Sequence, residues 1–183
     1  MVKWIFSKLP LSQSAAEWMT GGLGVAAVTL MTVGGWSALN GIPAQPQAAY
    51  AQADWISAWI DDLSQSSERW ILVDLSDQRL MAWEGGSPIY TVFVSTGDSE
   101  DPTPTGVYSI QSMYETARMQ GQDYDISDVP YVMYYSGSYA IHGAYWHNAF
   151  GVPVSHGCVN VAVDHAHWLY DWASVGTPVI VRE

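Results

Sequence analysis

From Trp70 to the end of the chain the sequence is written as short runs of β-branched and aromatic residues, each stopped by a turn signal, and this narrows the fold more than any other feature. WILVDLS (70–76) stops at Asp77-Gln78, RLMAWE (79–84) stops at Gly85-Gly86-Ser87, and PIYTVFVST (88–96) follows. These three runs predict a meander. Pro102 and Pro104 break the chain, TGVYSIQSMY (105–114) resumes the alternation, and the polar stretch Glu115 to Asp128 predicts a long loop. VPYVMYYS (129–136) and YAIHG (139–143) predict two strands joined at Gly137, and TPVIVRE (177–183) a last one. Two segments carry a helical period instead. Residues 54–69 place Trp55, Ile56, Trp59, Ile60 and Leu63 on one stripe of an amphipathic helix, and residues 164–173 present Trp168, Leu169 and Trp172. About eight strands and two short helices predict a mainly β domain, an antiparallel β sandwich or partly closed barrel.

The N-terminal third has a different grammar. Lys3, Lys8 and Glu17 are the only charged residues before Asp54. Leu23 to Val33 has the length of a signal-peptide hydrophobic region, and the two lysines before it orient the N-terminus toward the cytoplasm. Small-residue cleavage patterns follow at Ala51-Gln52-Ala53 and Ala49-Tyr50-Ala51. Gly21 to Leu39 is also uncharged and near the length that spans a bilayer, so an uncleaved anchor competes with a cleaved leader. Either way residues 1–53 read as signal peptide or membrane anchor with a Pro-, Gln- and Ala-rich linker. They deliver residues 54–69, the helix, and 70–183, the main domain, to the periplasm or cell envelope. That is an extracytoplasmic location, with membrane contact only through the N-terminal segment.

Charge and cysteine content exclude several classes of function. The formal net charge is -12, with a sequence pI near 4.4. Lys and Arg are nowhere clustered, so a nucleic-acid partner is excluded, because affinity for a polyphosphate comes mainly from clustered cations. One cysteine allows no intrachain disulfide and no four-thiolate metal site. The domain reads as a monomer that needs no cofactor.

That cysteine, Cys158, lies in Ser155-His156-Gly157-Cys158-Val159-Asn160, after a loop and before the second helix. A thiol with an ordinary pKa of about 8.5 is only a few per cent thiolate at neutral pH, so it needs a base or a positive field in order to react. His142 ends the strand YAIHG, and the segment 143–154 has the length to fold back and bring it beside Cys158. The plainer alternatives are a cysteine packed as a small hydrophobe and a strand-end histidine. His147 reads as a loop surface residue, and His165 and His167 as ordinary helix residues.

HG at 142–143 followed by SHGCVN at 155–160 resembles the catalytic signature of the L,D-transpeptidases of the YkuD family. The resemblance extends to ILVDLSDQRLMAW (71–83), similar to the family's first hairpin. It also takes in Val94-Ser95-Thr96-Gly97 and Thr103-Pro104-Thr105-Gly106, similar to its VSTG and TPTG turns. The 143–154 loop is short for the family and carries the aromatic run Tyr145-Trp146. The resemblance implies Cys158 as nucleophile, His142 as its base and Gly143 as the carbonyl that orients the imidazole. Backbone N–H groups around His156, Gly157 and Cys158 would hold the oxyanion, Ser155 and Asn160 would shape the loop, and Tyr124 would be a lid residue. It further implies a cell-wall enzyme acting on peptidoglycan stem peptides as donor and acceptor. A thioester formed with release of D-alanine is resolved by a second stem's amine in a 3→3 crosslink, or by water in an L,D-carboxypeptidase reaction.

Two readings from other classes stand beside this one. His142, His147, His156 and Cys158 offer four zinc ligands, although their spacing matches no familiar zinc pattern. A non-catalytic envelope-binding module would keep the fold without the chemistry.

Overall fold

The computed structural model describes residues 47–122 and 124–183, with the backbone alone for 47–54. Residues 1–46, most of the segment expected to be a signal peptide or anchor, lie outside the described residues. Helix α1 (Gln47–Ser64) opens the described chain, followed by β1 (Arg69–Asp74), β2 (Arg79–Glu84), β3 (Ser87–Phe93), β4 (Gly106–Ser109) and β5 (Ser112–Gln120). Then come β6 (Asp125–Ser136), β7 (Tyr139–Gly143), β8 (Val159–Val161), α2 (Val163–Trp172) and β9 (Pro178–Arg182). The strands form two sheets, one ordered β3-β2-β1-β9-β4 and the other β5-β6-β7-β8. Among the described residues the architecture is mainly β with two helices. Pairing is antiparallel except for β1 with β9 and β7 with β8.

The core lies between the sheets, where Ile71, Val73 and Leu80 of the first meet Met133, Tyr135, Ile141, Val159 and Val161 of the second, with Ala166 and Leu169 of α2 added. Alternate side chains of β1 point the other way. Trp70 and Leu72, with Ile180 of β9, form a second cluster that Ile56 and Leu63 of α1 cover. Because both its faces are covered, β1 reads as an uninterrupted apolar run rather than an alternating one.

Three expectations change. The amphipathic helix runs Gln47–Ser64 rather than 54–69. The alanine-rich 48–53 favours helix upstream, while the Ser64 and Ser66 hydroxyls bond back to the Asp61 and Leu63 carbonyls and end it. Its packing stripe is Ile56, Ile60 and Leu63, leaving Trp55 and Trp59 exposed. The run 105–114 is two strands: the Ile110 N–H still donates to Thr177 beside β9, whereas the Gln111 N–H donates to Tyr134 of β6. The chain therefore changes sheets between Ile110 and Gln111.

The polar stretch 115–128 is the far end of the β5–β6 hairpin, with Ala117 opposite Val129 and Met119 opposite Ile126. Its outward positions are polar, and Arg118 grips Asp125 through two hydrogen bonds of 2.7 and 2.5 Å. The composition of the exposed face hid the alternation.

Candidate active site

Strands β7 and β8 run parallel with Ile141 opposite Val159 and His142 opposite Asn160. Cys158, one residue before β8, therefore lies beside Ala140. Since side chains alternate along a strand, Ile141, Val159 and Val161 point into the core, and Ala140, His142, Cys158 and Asn160 share the opposite face. Two positions across and one strand over, Cys158 and His142 are diagonal neighbours. Both line a cavity of about 460 Å³. The hairpin β5–β6 walls it with Met119, Tyr124 and Ile126, and the 144–154 loop with Trp146 and His147.

His142 is buried, and its Nδ1 lies 3.0 Å from the Gly143 carbonyl oxygen. That carbonyl can only accept, so Nδ1 carries the proton and the Nε2 lone pair is left free to take one. The Trp146 ring, 5.7 Å away between centroids, covers the imidazole. Burial pushes the imidazole down to about 4, against a smaller upward push from the Gly143 hydrogen bond. Burial also pushes the Cys158 thiol up, partly offset by a hydrogen bond from the Ala140 backbone. The thiol makes a weak 3.7 Å contact with the Ser138 carbonyl. Both shifts favour the uncharged thiol and imidazole over an ion pair.

The turn that presents the thiol is braced from within. The Ser155 Oγ–H donates to the Cys158 carbonyl at 2.5 Å and accepts from the Gly157 N–H at 3.2 Å. Gly157 has φ +98, and a Cβ there would meet the Tyr139 ring at 2.6 Å, so glycine is required on both counts. Because its N–H is committed to Ser155, Gly157 is removed from the donors that the sequence suggested for an oxyanion. Cys158 and His156 line the cavity; Gly157 does not. Tyr124 stands at the hairpin turn with its ring 4.9 Å from that of His156, on the cavity wall.

His147 is not the surface residue its loop position suggested. Its Nδ1 accepts the Ala149 N–H at 3.1 Å and its Nε2 lies 2.9 Å from the Asn160 amide. The amide atom facing Nε2 is Nδ2, and with Nδ1 accepting, a proton on Nε2 calls for the other amide orientation, oxygen toward the ring. The pair ties the 144–154 loop to β8. No group of three or more His, Cys, Asp or Glu side chains is arranged to hold a metal ion among the described residues. The α2 histidines sit elsewhere: His165 is 2.7 Å from the Tyr90 hydroxyl, and His167 stacks on Tyr131. Met119, Ile126 and Trp146 joined the site without a sequence signal, because hairpin residues and a loop aromatic carry no spacing relative to Cys158.

A thiol and an uncharged imidazole on one face of a sheet, at the floor of a cavity, are the side chains that cysteine acyl-transfer chemistry uses. The match is specific as well as general. Residues 68–181 match the L,D-transpeptidase catalytic domain, and the chain belongs to this YkuD family. It is 27% identical over 163 residues to L,D-transpeptidase 1 of Mycobacterium tuberculosis, covering 80% of this chain and 64% of that protein. An L,D-transpeptidase structure from Mycobacterium smegmatis superposes with TM-score 0.60 at 26% identity, covering 63% of this chain and 59% of that one. L,D-transpeptidase 3 of Mycobacterium tuberculosis, in complex with a faropenem-derived adduct, gives 0.58 at 25% identity, with 63% and 60% covered. The chain spans less than two thirds of the length of each of these relatives.

Proposed function

We propose that this chain is an exported cysteine acyltransferase that forms 3→3 crosslinks between peptidoglycan stem peptides. The observation that carries the reading is the placement of Cys158 and His142 as diagonal neighbours on one sheet face, both lining one cavity. The Cys158 sulfur attacks the carbonyl of the third, L-configured residue of a tetrapeptide stem while His142 Nε2 takes the thiol proton. A C–S bond forms, the C–N bond to D-alanine breaks, and the leaving amine receives that proton from His142. The amine of a second stem then attacks the thioester carbonyl, the C–S bond breaks, and the proton returns to sulfur. Gly143 holds the imidazole in the tautomer this requires, and the developing oxyanion is assigned to the N–H groups of Cys158 and His156, both of which line the cavity. Water in place of the second amine gives L,D-carboxypeptidase activity from the same thioester. The N-terminal segment, with its two lysines and hydrophobic run, supports an extracytoplasmic location where the stems are found.

Mass spectrometry of the intact protein incubated with a tetrapeptide muropeptide tests this reading. A covalent adduct at Cys158 with loss of D-alanine, and crosslinked dimer in the product, is the expected result. Cys158→Ala abolishes both adduct and product, and turnover by that variant within tenfold of the parent overturns the assignment.

A further inference from the structure

The VSTG and TPTG turns contain no group that lines the cavity, yet they meet the nucleophile turn backbone to backbone. Ser95 exchanges two hydrogen bonds with Asn160, the Thr96 carbonyl accepts from Val154 and Ser155, and the Asp98 N–H donates to the Ser155 carbonyl. One side chain bridges all three turns. The buried Thr103 hydroxyl accepts the Gly97 N–H at 2.8 Å and donates to the Gly157 carbonyl at 2.9 Å. Gly97 allows this approach: a Cβ there would fall 2.1 Å from the Asp101 carbonyl oxygen, 2.6 Å from the Thr103 nitrogen and 2.9 Å from the Gly157 Cα. Thr103 itself is held in a turn whose Pro104 and Thr105 carbonyls both accept from the Tyr108 hydroxyl.

We propose that Thr103 is the positioning residue that aims the backbone N–H of Cys158 at the reacting carbonyl. The inference rests on the acyl-transfer reading above. The Gly157 carbonyl and the Cys158 N–H belong to one peptide plane, and in a trans peptide they point in opposite directions. Holding that carbonyl toward the TPTG turn therefore directs the N–H away from it, to the side where Cys158 lines the cavity. Gly157, at φ +98, has no side chain of its own to resist rotation of this plane, and Ser155 restrains the neighbouring groups but not the Gly157 carbonyl. A donor set before the reaction begins is worth more than one that must be turned during it.

Two reagents separate aiming from general damage. Acylation by a penem passes through a tetrahedral oxyanion, whereas alkylation by iodoacetamide displaces iodide and forms none. Both add to Cys158 and both are followed by intact-protein mass, at pH 9. Thr103→Val, which keeps the shape and loses the hydroxyl, is expected to slow acylation by ~10- to 100-fold, below the 10²–10³ lost when an oxyanion donor is deleted outright, and to leave alkylation within about threefold. Thr103→Ser, which keeps the hydroxyl, is expected to acylate at the parental rate. Thr103→Ala removes the hydroxyl without adding bulk and replaces the valine variant if that one does not fold. Parental acylation in the hydroxyl-free variant, an equal fall in both reactions, or a serine variant as slow as valine would each overturn the proposal. A parent protein that alkylates but does not acylate would instead count against the acyl-transfer reading itself.

Discussion

At the scale of single residues, the site is governed by desolvation acting in opposite directions on its two ends. Burial raises the thiol and lowers the imidazole, so both favour the uncharged form at neutral pH. The thiol is therefore expected to react with iodoacetamide more slowly at pH 7 than a free cysteine does, with a rate still climbing above pH 9. A rate that levels off below pH 8 would indicate a thiolate–imidazolium pair instead. The imidazole also makes folding depend on pH. In the unfolded chain His142 titrates near 6.5, but in the folded protein near 4. Between those values the unfolded state holds a proton that the folded state does not, so stability drops as pH falls from 6.5 to 4. At 1.36 kcal/mol per pH unit the loss is about 3 kcal/mol over the window. Urea unfolding at pH 7 and pH 4.5 measures it, and His142→Gln is expected to flatten that part of the profile.

Among the elements, how readable each one was depended on how its faces are covered. The hairpins of β1, β2 and β3 were legible because turn residues separate runs of residues with high strand preference. The end of β7 was legible because His142 and Gly143 follow an apolar strand. Strand β8 has three residues, too few to show a period, and its pairing partner lies across the 144–154 loop. Cys158 stood out in the sequence through its neighbours, and it lines the cavity, whereas Thr103 and His147 make their contacts through backbone groups and an amide that no linear spacing announces. The β5–β6 hairpin was hidden by its solvent face, and energetics follow the same division. Arg118 and Asp125 are exposed, so Arg118→Ala is expected to cost less than about 1 kcal/mol despite the two-bond geometry. Met119, buried against Val129, Val132 and Ala140 on the inner face, is expected to cost about 2 kcal/mol or more as Met119→Ala. Denaturant unfolding of the two variants distinguishes these effects, and a larger loss from Arg118 would mean that the pair, not the inner face, holds the cavity wall in place.

Across the whole molecule the layers run from α1, through the first sheet, the shared core and the second sheet, to the cavity. The cluster under α1 and the cavity are thus at opposite ends of the stack, with the main core between them. The outer face of the first sheet is apolar, with Trp70, Leu72 and Ile180 buried there, and among the described residues α1 is the element that covers it. Cleavage after Ala53, one of two patterns the sequence offers beside an uncleaved anchor, would fall inside α1 yet leave Ile56, Ile60 and Leu63, the residues that do the covering. Leu63→Ala is expected to destabilise the fold by about 2–4 kcal/mol, since the helix and sheet cannot close fully over the lost side chain. Trp59→Ala removes a larger but exposed ring and is expected to cost less than about 1 kcal/mol. Both variants should acylate at the parental rate below their melting temperatures, because two sheets separate α1 from Cys158. A Leu63 variant that stays folded but acylates several-fold more slowly would mean that strain passes through the core from the helix to the nucleophile turn, and that the layers act as one unit.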